Sequence, residues 1–169
     1  LYFRNPLKTK QPSNFSHRLA LGMSSSAWEL LRRLKEANQV DHLALTPLAA
    51  QSIENLHPGV LVGSLSELLS TRWHKGGLLI FVGSIAAVVR AITPFITNKN
   101  DDPAVIVIDA LGNYVVPILG VHKGGGDDLA LSLAVELGGI VVSTSNSKTQ
   151  GLLPLDGFGD SWGWKRSGS

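Results

Sequence analysis

Leu78-Leu79-Ile80-Phe81-Val82-Gly83-Ser84-Ile85-Ala86-Ala87-Val88-Val89-Arg90-Ala91-Ile92 is the stretch on which the architecture turns. Leu78–Val82 is an unbroken apolar run, the pattern of a strand buried on both faces in a sheet covered by helices. Gly83-Ser84 then turns the chain, and the spacing predicts a helix from Ile85 to about Ile96. In it Ile85, Val88, Val89 and Ile92 share one face while Arg90 points elsewhere. Pro94 ends or kinks that helix near its last turn, because proline has no N–H and its ring crowds the preceding turn.

The same alternation extends in both directions. Arg18–Leu21 is a short strand, followed by Gly22 and the cap-forming Ser24-Ser25-Ser26. Ala27, Leu30, Leu31 and Leu34 then recur at helical spacing, which predicts an amphipathic helix with a serine N-cap. His42–Leu45 and Gly59–Val62 are extended, and Ser64 to Trp73 is a helix capped by Ser64 with Glu67 three residues on. Val105–Ile108 and Tyr114–Leu119 flank the turn Ala110–Asn113 and form a hairpin. A glycine-dense turn, Gly120-Val121-His122-Lys123-Gly124-Gly125-Gly126-Asp127, leads into a helix to Leu137 and a last extended segment, Ile140–Ser143. Strands alternating with helices predict an α/β fold: a mostly parallel, mixed sheet with helices on both faces, a three-layer sandwich. It covers residues 18–144, between an irregular arm (1–17) and a tail or linker (145–169) toward a further domain.

The chain has 169 residues, 44% of them apolar and 17% charged, which suits a packed globule rather than a disordered chain. A net charge of +2 is too mild to argue for nucleic acid. The absence of cysteine excludes disulfides, thiolate nucleophiles and cysteine-bound metal, and fits a cytoplasmic protein. The apolar run from Leu78 is broken at Gly83-Ser84 and again at Arg90, too short for a membrane span. His17, His42, His57 and His74 show no metal-ligand spacing, so no metal site is expected. Nucleotide-binding glycine motifs and a serine-hydrolase elbow are missing.

In α/β sheets ligands sit beyond the carboxyl ends of strands. Gly83-Ser84 and Gly120–Gly126 are two strand-to-helix turns, and the expectation is that they aim helix N-termini at one crevice. Exposed N–H groups and helix dipoles there favour an anion. Arg90, Lys99, His122 and Lys123 would add positive charge. Each feature also has a plainer reading. Glycine turns are often only tight connections, an isolated histidine is more often structural, Arg90 is an ordinary surface charge, and Asp101-Asp102 are common turn acids before Pro103.

Three blocks carry a family resemblance. They are Ile80–Pro94, then Asn98-Lys99-Asn100-Asp101-Asp102-Pro103-Ala104-Val105-Ile106-Val107-Ile108-Asp109, then the turn Gly120–Asp127. Their order and spacing resemble the amino-terminal region of CbiG, the cobalt-precorrin-5A hydrolase family of cobalamin biosynthesis, over roughly Leu19–Thr144. The resemblance implies opening of a ring A δ-lactone on a corrin precursor, with release of acetaldehyde. The implied substrate carries many carboxylates and its own cobalt, so no cofactor is expected in this chain. His122 is the candidate base, and Asp127 would orient it or activate water. The N–H groups of Gly124, Gly125 and Gly126 are candidate oxyanion donors. Gly83, Ser84, Arg90, Lys99, Asp102 and Lys123 complete the expected substrate-binding set.

Val121 and Asp127 depart from the family pattern, which has glycine and asparagine at those places. Either Asp127 faces away as a helix cap, or catalysis is altered. The end of the chain, Leu153–Arg166, resembles a linker to a precorrin-3B C(17)-methyltransferase, which would bring S-adenosylmethionine only with that domain. Three classes stay open: a corrin hydrolase, a corrin-binding module, and a structural or homodimerisation module.

Overall fold

In the computed structural model, which describes residues 15–120 and 126–143, Gly77–Val82 (β4) is buried at every position and lies at the middle of one sheet. Its neighbours are His17–Gly22 (β1) and Ala104–Ile108 (β5), both parallel to it. His42–Leu45 (β2) and Leu61–Val62 (β3) continue the parallel set beyond β1. Tyr114–Leu119 (β6) returns antiparallel against β5, and Ile140–Val141 (β7) pairs parallel to β6. The strand order is β3-β2-β1-β4-β5-β6-β7. The sheet is therefore mixed, with the hairpin supplying its one reversal of direction.

Because successive side chains point to opposite faces of a strand, β4 feeds two cores. Leu78, Ile80 and Val82 join Ile106 and Ile108 beneath Trp28–Glu36 (α1), Pro47–Gln51 (α2) and Gly126–Leu137 (α5). Leu79 and Phe81 join Leu19, Leu21, Val105 and Val107 beneath Leu65–Ser70 (α3) and Ile85–Ile92 (α4). Helices thus cover both faces, giving the three-layer α/β sandwich. Each fully buried Leu, Ile or Phe contributes roughly 1.5–3 kcal/mol through removal of apolar surface from water.

Local rules account for most helix ends. Ser64 and Glu67 form a reciprocal capping box: the Ser64 hydroxyl accepts from the Glu67 N–H, and the Glu67 carboxylate accepts from the Ser64 N–H at 2.8 Å. Ser84 caps α4, its hydroxyl accepting from the Ala87 N–H. Gly22 lets α1 approach the sheet, since a Cβ there would lie 2.8 Å from the Ala27 Cβ.

Other expectations are corrected. Ser24 makes no capping bond; Ser25–Ala27 forms a short 3₁₀ turn and α1 begins only at Trp28. Pro94 falls in a second 3₁₀ turn, Thr93–Phe95, so α4 ends at Ile92 rather than Ile96. Val88 and Ile92 are buried, whereas Ile85 and Val89 are 44% and 42% exposed: only one edge of the apolar stripe meets the sheet. α2 lacked a long apolar period in the sequence; it rests on the Thr46 cap and Pro47 at its first position. His17, read as part of the arm, is the first residue of β1. No described helix is long and apolar enough to cross a membrane. The expectations placed on residues 1–14, 121–125 and 144–169 lie outside the described residues.

Candidate functional site

Strand direction decides what the candidate residues share. β4 points its carboxyl end at Gly83-Ser84, beside Gly22-Met23 at the end of β1; a Cβ on Gly83 would meet the Met23 Cε at 2.8 Å. This is the topological switch point, where β1 leads outward to β2 and β4 leads the other way to β5. β6 runs against β5, so Leu119 lies beside Val105 and Gly120 lies against Ala104. The glycine turn therefore leaves from the amino end of the parallel strands. Among the described residues, Gly83-Ser84 and Gly120 thus stand at opposite ends of the sheet. Along β4 the two turns are separated by about 16 Å, at ~3.3 Å per residue. Their helices also cover opposite faces, α4 on one and α5 on the other.

The correction divides the expected set. Gly83 and Ser84 stand at the carboxyl end. Lys99 and Asp102 stand in the loop entering β5, at the amino end with Gly120. Arg90 is exposed in the last turn of α4, on the side that leads through Thr93–Phe95 to that loop. Gly126 opens α5, and Asp127 in its first turn is buried, with 8% of its surface exposed. Its place as an acid in the first turn of a helix is one the macrodipole favours. His122, Lys123, Gly124 and Gly125 lie outside the described residues.

Asp102 is tied into the structure rather than offered to a ligand. Its carboxylate accepts from the Trp73 Nε1–H at 3.1 Å, the Thr97 N–H at 3.0 Å and the Thr97 hydroxyl at 2.9 Å. Burial alone would raise its pKa, but these donors outweigh it and hold the carboxyl below its ordinary range. The Trp73 ring in turn contacts Phe95, 5.8 Å between centroids. Asp102 thus joins the chain before β4 to the chain before β5, a positioning role that the sequence did not show.

The amino end is the basic end. Arg18, Arg72, Lys75 and Lys99 stand in or beside the segments that enter the strands, while Arg33, Lys35 and Arg90 occupy last turns of helices running toward it. Cations at helix C-termini complement the macrodipole, which explains the last three without any ligand. Of the others, Arg18 is paired with Asp41 at 2.7 Å and Lys75 stands 3.9 Å from Asp101, which leaves Arg72 and Lys99 with no such explanation. Among the described residues, no lysine or arginine stands at the carboxyl end; Arg32, mid-helix, is paired to Glu29 and Glu36.

Sequence spacing missed the meeting of His17 and His74. Pairing of β1 with β4 sets His17 opposite Gly77, and the two rings come to 4.0 Å between centroids. The His17 Nε2–H donates to the Arg72 carbonyl at 3.1 Å. Burial pushes the His17 pKa down, and the charge of His74 pushes it further. The signal was strand register, which no local motif carries. No cluster of three or more metal-ligating side chains occurs among the described residues.

Residues 67–148 match the family model described as cobalamin synthesis G N-terminal. The chain is 39% identical over 102 residues to a cobalt-precorrin-5A hydrolase of Priestia megaterium, covering 60% of this chain and 27% of that one. It is 38% identical over 78 residues to the cobalt-precorrin-5A hydrolase of Salmonella typhimurium, covering 46% and 22%. The chain thus spans about a quarter of the length of these curated relatives. A solved structure from Sulfolobus solfataricus, described as a cobalamin biosynthesis protein G homolog, shares the fold with a TM-score of 0.56 at 22% identity, over 82% of this chain and 40% of that one. Residues 67–148, which take in α4, the hairpin and α5, thus carry the likeness to the CbiG amino-terminal family.

Proposed function

We propose that this chain forms part of a cobalt-precorrin-5A hydrolase and that the corrin's acidic fringe meets the basic end of the sheet. The observation that carries the activity is the 39% identity to a hydrolase of that name. The basic end supports the placement, because a polyanion gains from several cations gathered on one side. In this reading His122 takes the proton from the water that attacks the lactone carbonyl. The N–H groups of Gly124–Gly126 at the start of α5 stabilise the oxyanion. Asp127, buried in the first turn of α5, orients His122. Ring opening yields a carboxylate and an alcohol. The alcohol then loses its proton as its C–C bond to the macrocycle breaks, the electron pair passes to the conjugated macrocycle, which takes up a proton, and the two-carbon fragment leaves as acetaldehyde. Gly83 and Ser84 serve the cap of α4 and lie apart from this chemistry.

A second reading is favoured by Val121 and Asp127, which depart from the family's loop pattern. Here the chain binds the corrin and leaves the lactone intact. The His122→Ala exchange decides between them, with acetaldehyde release and corrin absorbance measured on the same protein. The hydrolase reading expects turnover to fall about 10²–10⁴-fold with binding kept. Unchanged turnover removes His122 as the base; no turnover in the unaltered protein, with binding present, favours the second reading. The methyltransferase partner and a homodimer stay proposals, which sizing and sequencing of the full gene product would test.

A further inference from the structure

Two imidazoles tilted at 42° with centroids 4.0 Å apart repel once both are protonated, and the surroundings of this pair deepen that conflict. The charged groups facing His17 are His74 and Arg72, from the segment entering β4, and Asp41, from the start of β2. Asp41 is already committed: it accepts from the Arg18 guanidinium at 2.7 Å and from the Arg18 N–H at 2.9 Å. Asp102 is held by Trp73 and Thr97. Asp101 accepts from the Asn98 amide and sits 3.9 Å from the Lys75 ammonium. The pair is thus pressed by cationic charge while the nearby acids serve other groups. His74 is exposed, so the pair is open to solvent.

The geometry points to a carboxylate-binding site formed by His17, Arg72 and His74 at the amino end of β1 and β4. A bound carboxylate supplies the missing negative charge, accepts from the Arg72 guanidinium and the protonated His74 ring, and relieves the repulsion between the imidazoles. The site itself stands on the pair's geometry; its natural occupant, a carboxylate of the corrin fringe, rests on the function proposed above. It adds a second anchoring point to the glycine turn on the same end of the sheet.

The test follows the ring resonances of His17 and His74 by NMR in the whole chain. Citrate is titrated in, with phosphate and chloride at matched ionic strength as comparison arms. Citrate is expected to raise both titration midpoints saturably, and to bind more tightly at pH 6 than at pH 8. Arg72→Gln is expected to weaken it about tenfold, and Arg72→Lys to recover part of the loss. The site is overturned if citrate acts no differently from chloride, if phosphate alone saturates, or if Arg72→Gln binds citrate as the unaltered chain does. Failure of lactone opening would leave these shifts intact, so the two readings fail separately.

Discussion

At the carboxyl ends of β1 and β4 the chain reverses through Gly22–Ser26 and Gly83-Ser84, where the Ser84 hydroxyl caps α4 and Ser24 makes no cap. At the amino ends of the same strands stand His17, Arg72, His74 and, one strand further, Lys99 and the exit to the glycine turn. The first end is where doubly wound sheets usually take their ligands. The second is where this chain gathers charge. The contrast teaches that fold-level position and residue chemistry give separate answers: Gly83-Ser84 lies at the first end, and Gly120, where β6 ends, lies at the second.

The largest expected effect breaks the contrast outright. His122→Ala should lower acetaldehyde release by about 10²–10⁴-fold, whereas Ser84→Ala should leave turnover within about twofold and cost only ~1 kcal/mol of stability through the lost cap. Equal losses in the two variants would mean that both ends serve catalysis.

Glycine replacements sharpen it next. Gly120 has φ +68°, and a Cβ there would come 2.7 Å from the Ala104 Cα, so Gly120→Ala meets both backbone strain and a clash with main chain. Gly22 has only side chains in the way, at 2.8 Å and beyond. Thermal unfolding should show Gly120→Ala destabilised by about 3 kcal/mol and Gly22→Ala by about 1–2 kcal/mol. The reverse order would contradict the packing at the amino end.

Asp102→Ala should cost about 1–3 kcal/mol, because the Trp73 and Thr97 donors lose their acceptor. The depressed carboxyl pKa sets the sign: this stabilisation is present above the ordinary value of 3.8 and is lost as pH falls through the folded value. The smallest effect concerns His17. Its pKa lies below the ordinary 6.5, so the fold favours the neutral ring; stability should be fully present above 6.5 and fall as pH drops toward the folded value. His17→Gln should flatten that slope in denaturant titrations, and an unchanged slope would assign it to other groups.

The strands were legible because apolar runs such as Leu78–Val82 and Val105–Ile108 admit few other readings, and the Ser64–Glu67 box announced α3. Which end each turn occupies was also within reach. A hairpin at Ala110–Asn113 requires β6 to run backwards and so deliver its turn to the amino end of the parallel strands. Reading each strand-to-helix turn by itself hid that consequence. The His17–His74 contact was beyond local reading, since it depends on β1 pairing with β4 in one register across a long separation in sequence. The bonds of Asp102 were hidden for a related reason: a turn acid before Pro103 says nothing of the tryptophan that folding brings to it.

Corrin affinity, followed by visible absorbance, tests the placement of the substrate most directly when Arg72→Gln/Lys99→Gln is set beside Ser24→Ala/Ser84→Ala. Binding at the basic end predicts weakening of about tenfold or more in the first protein and an unchanged affinity in the second. The converse pattern, with the loss confined to the serine variant, would move the substrate to the switch point and contradict the account.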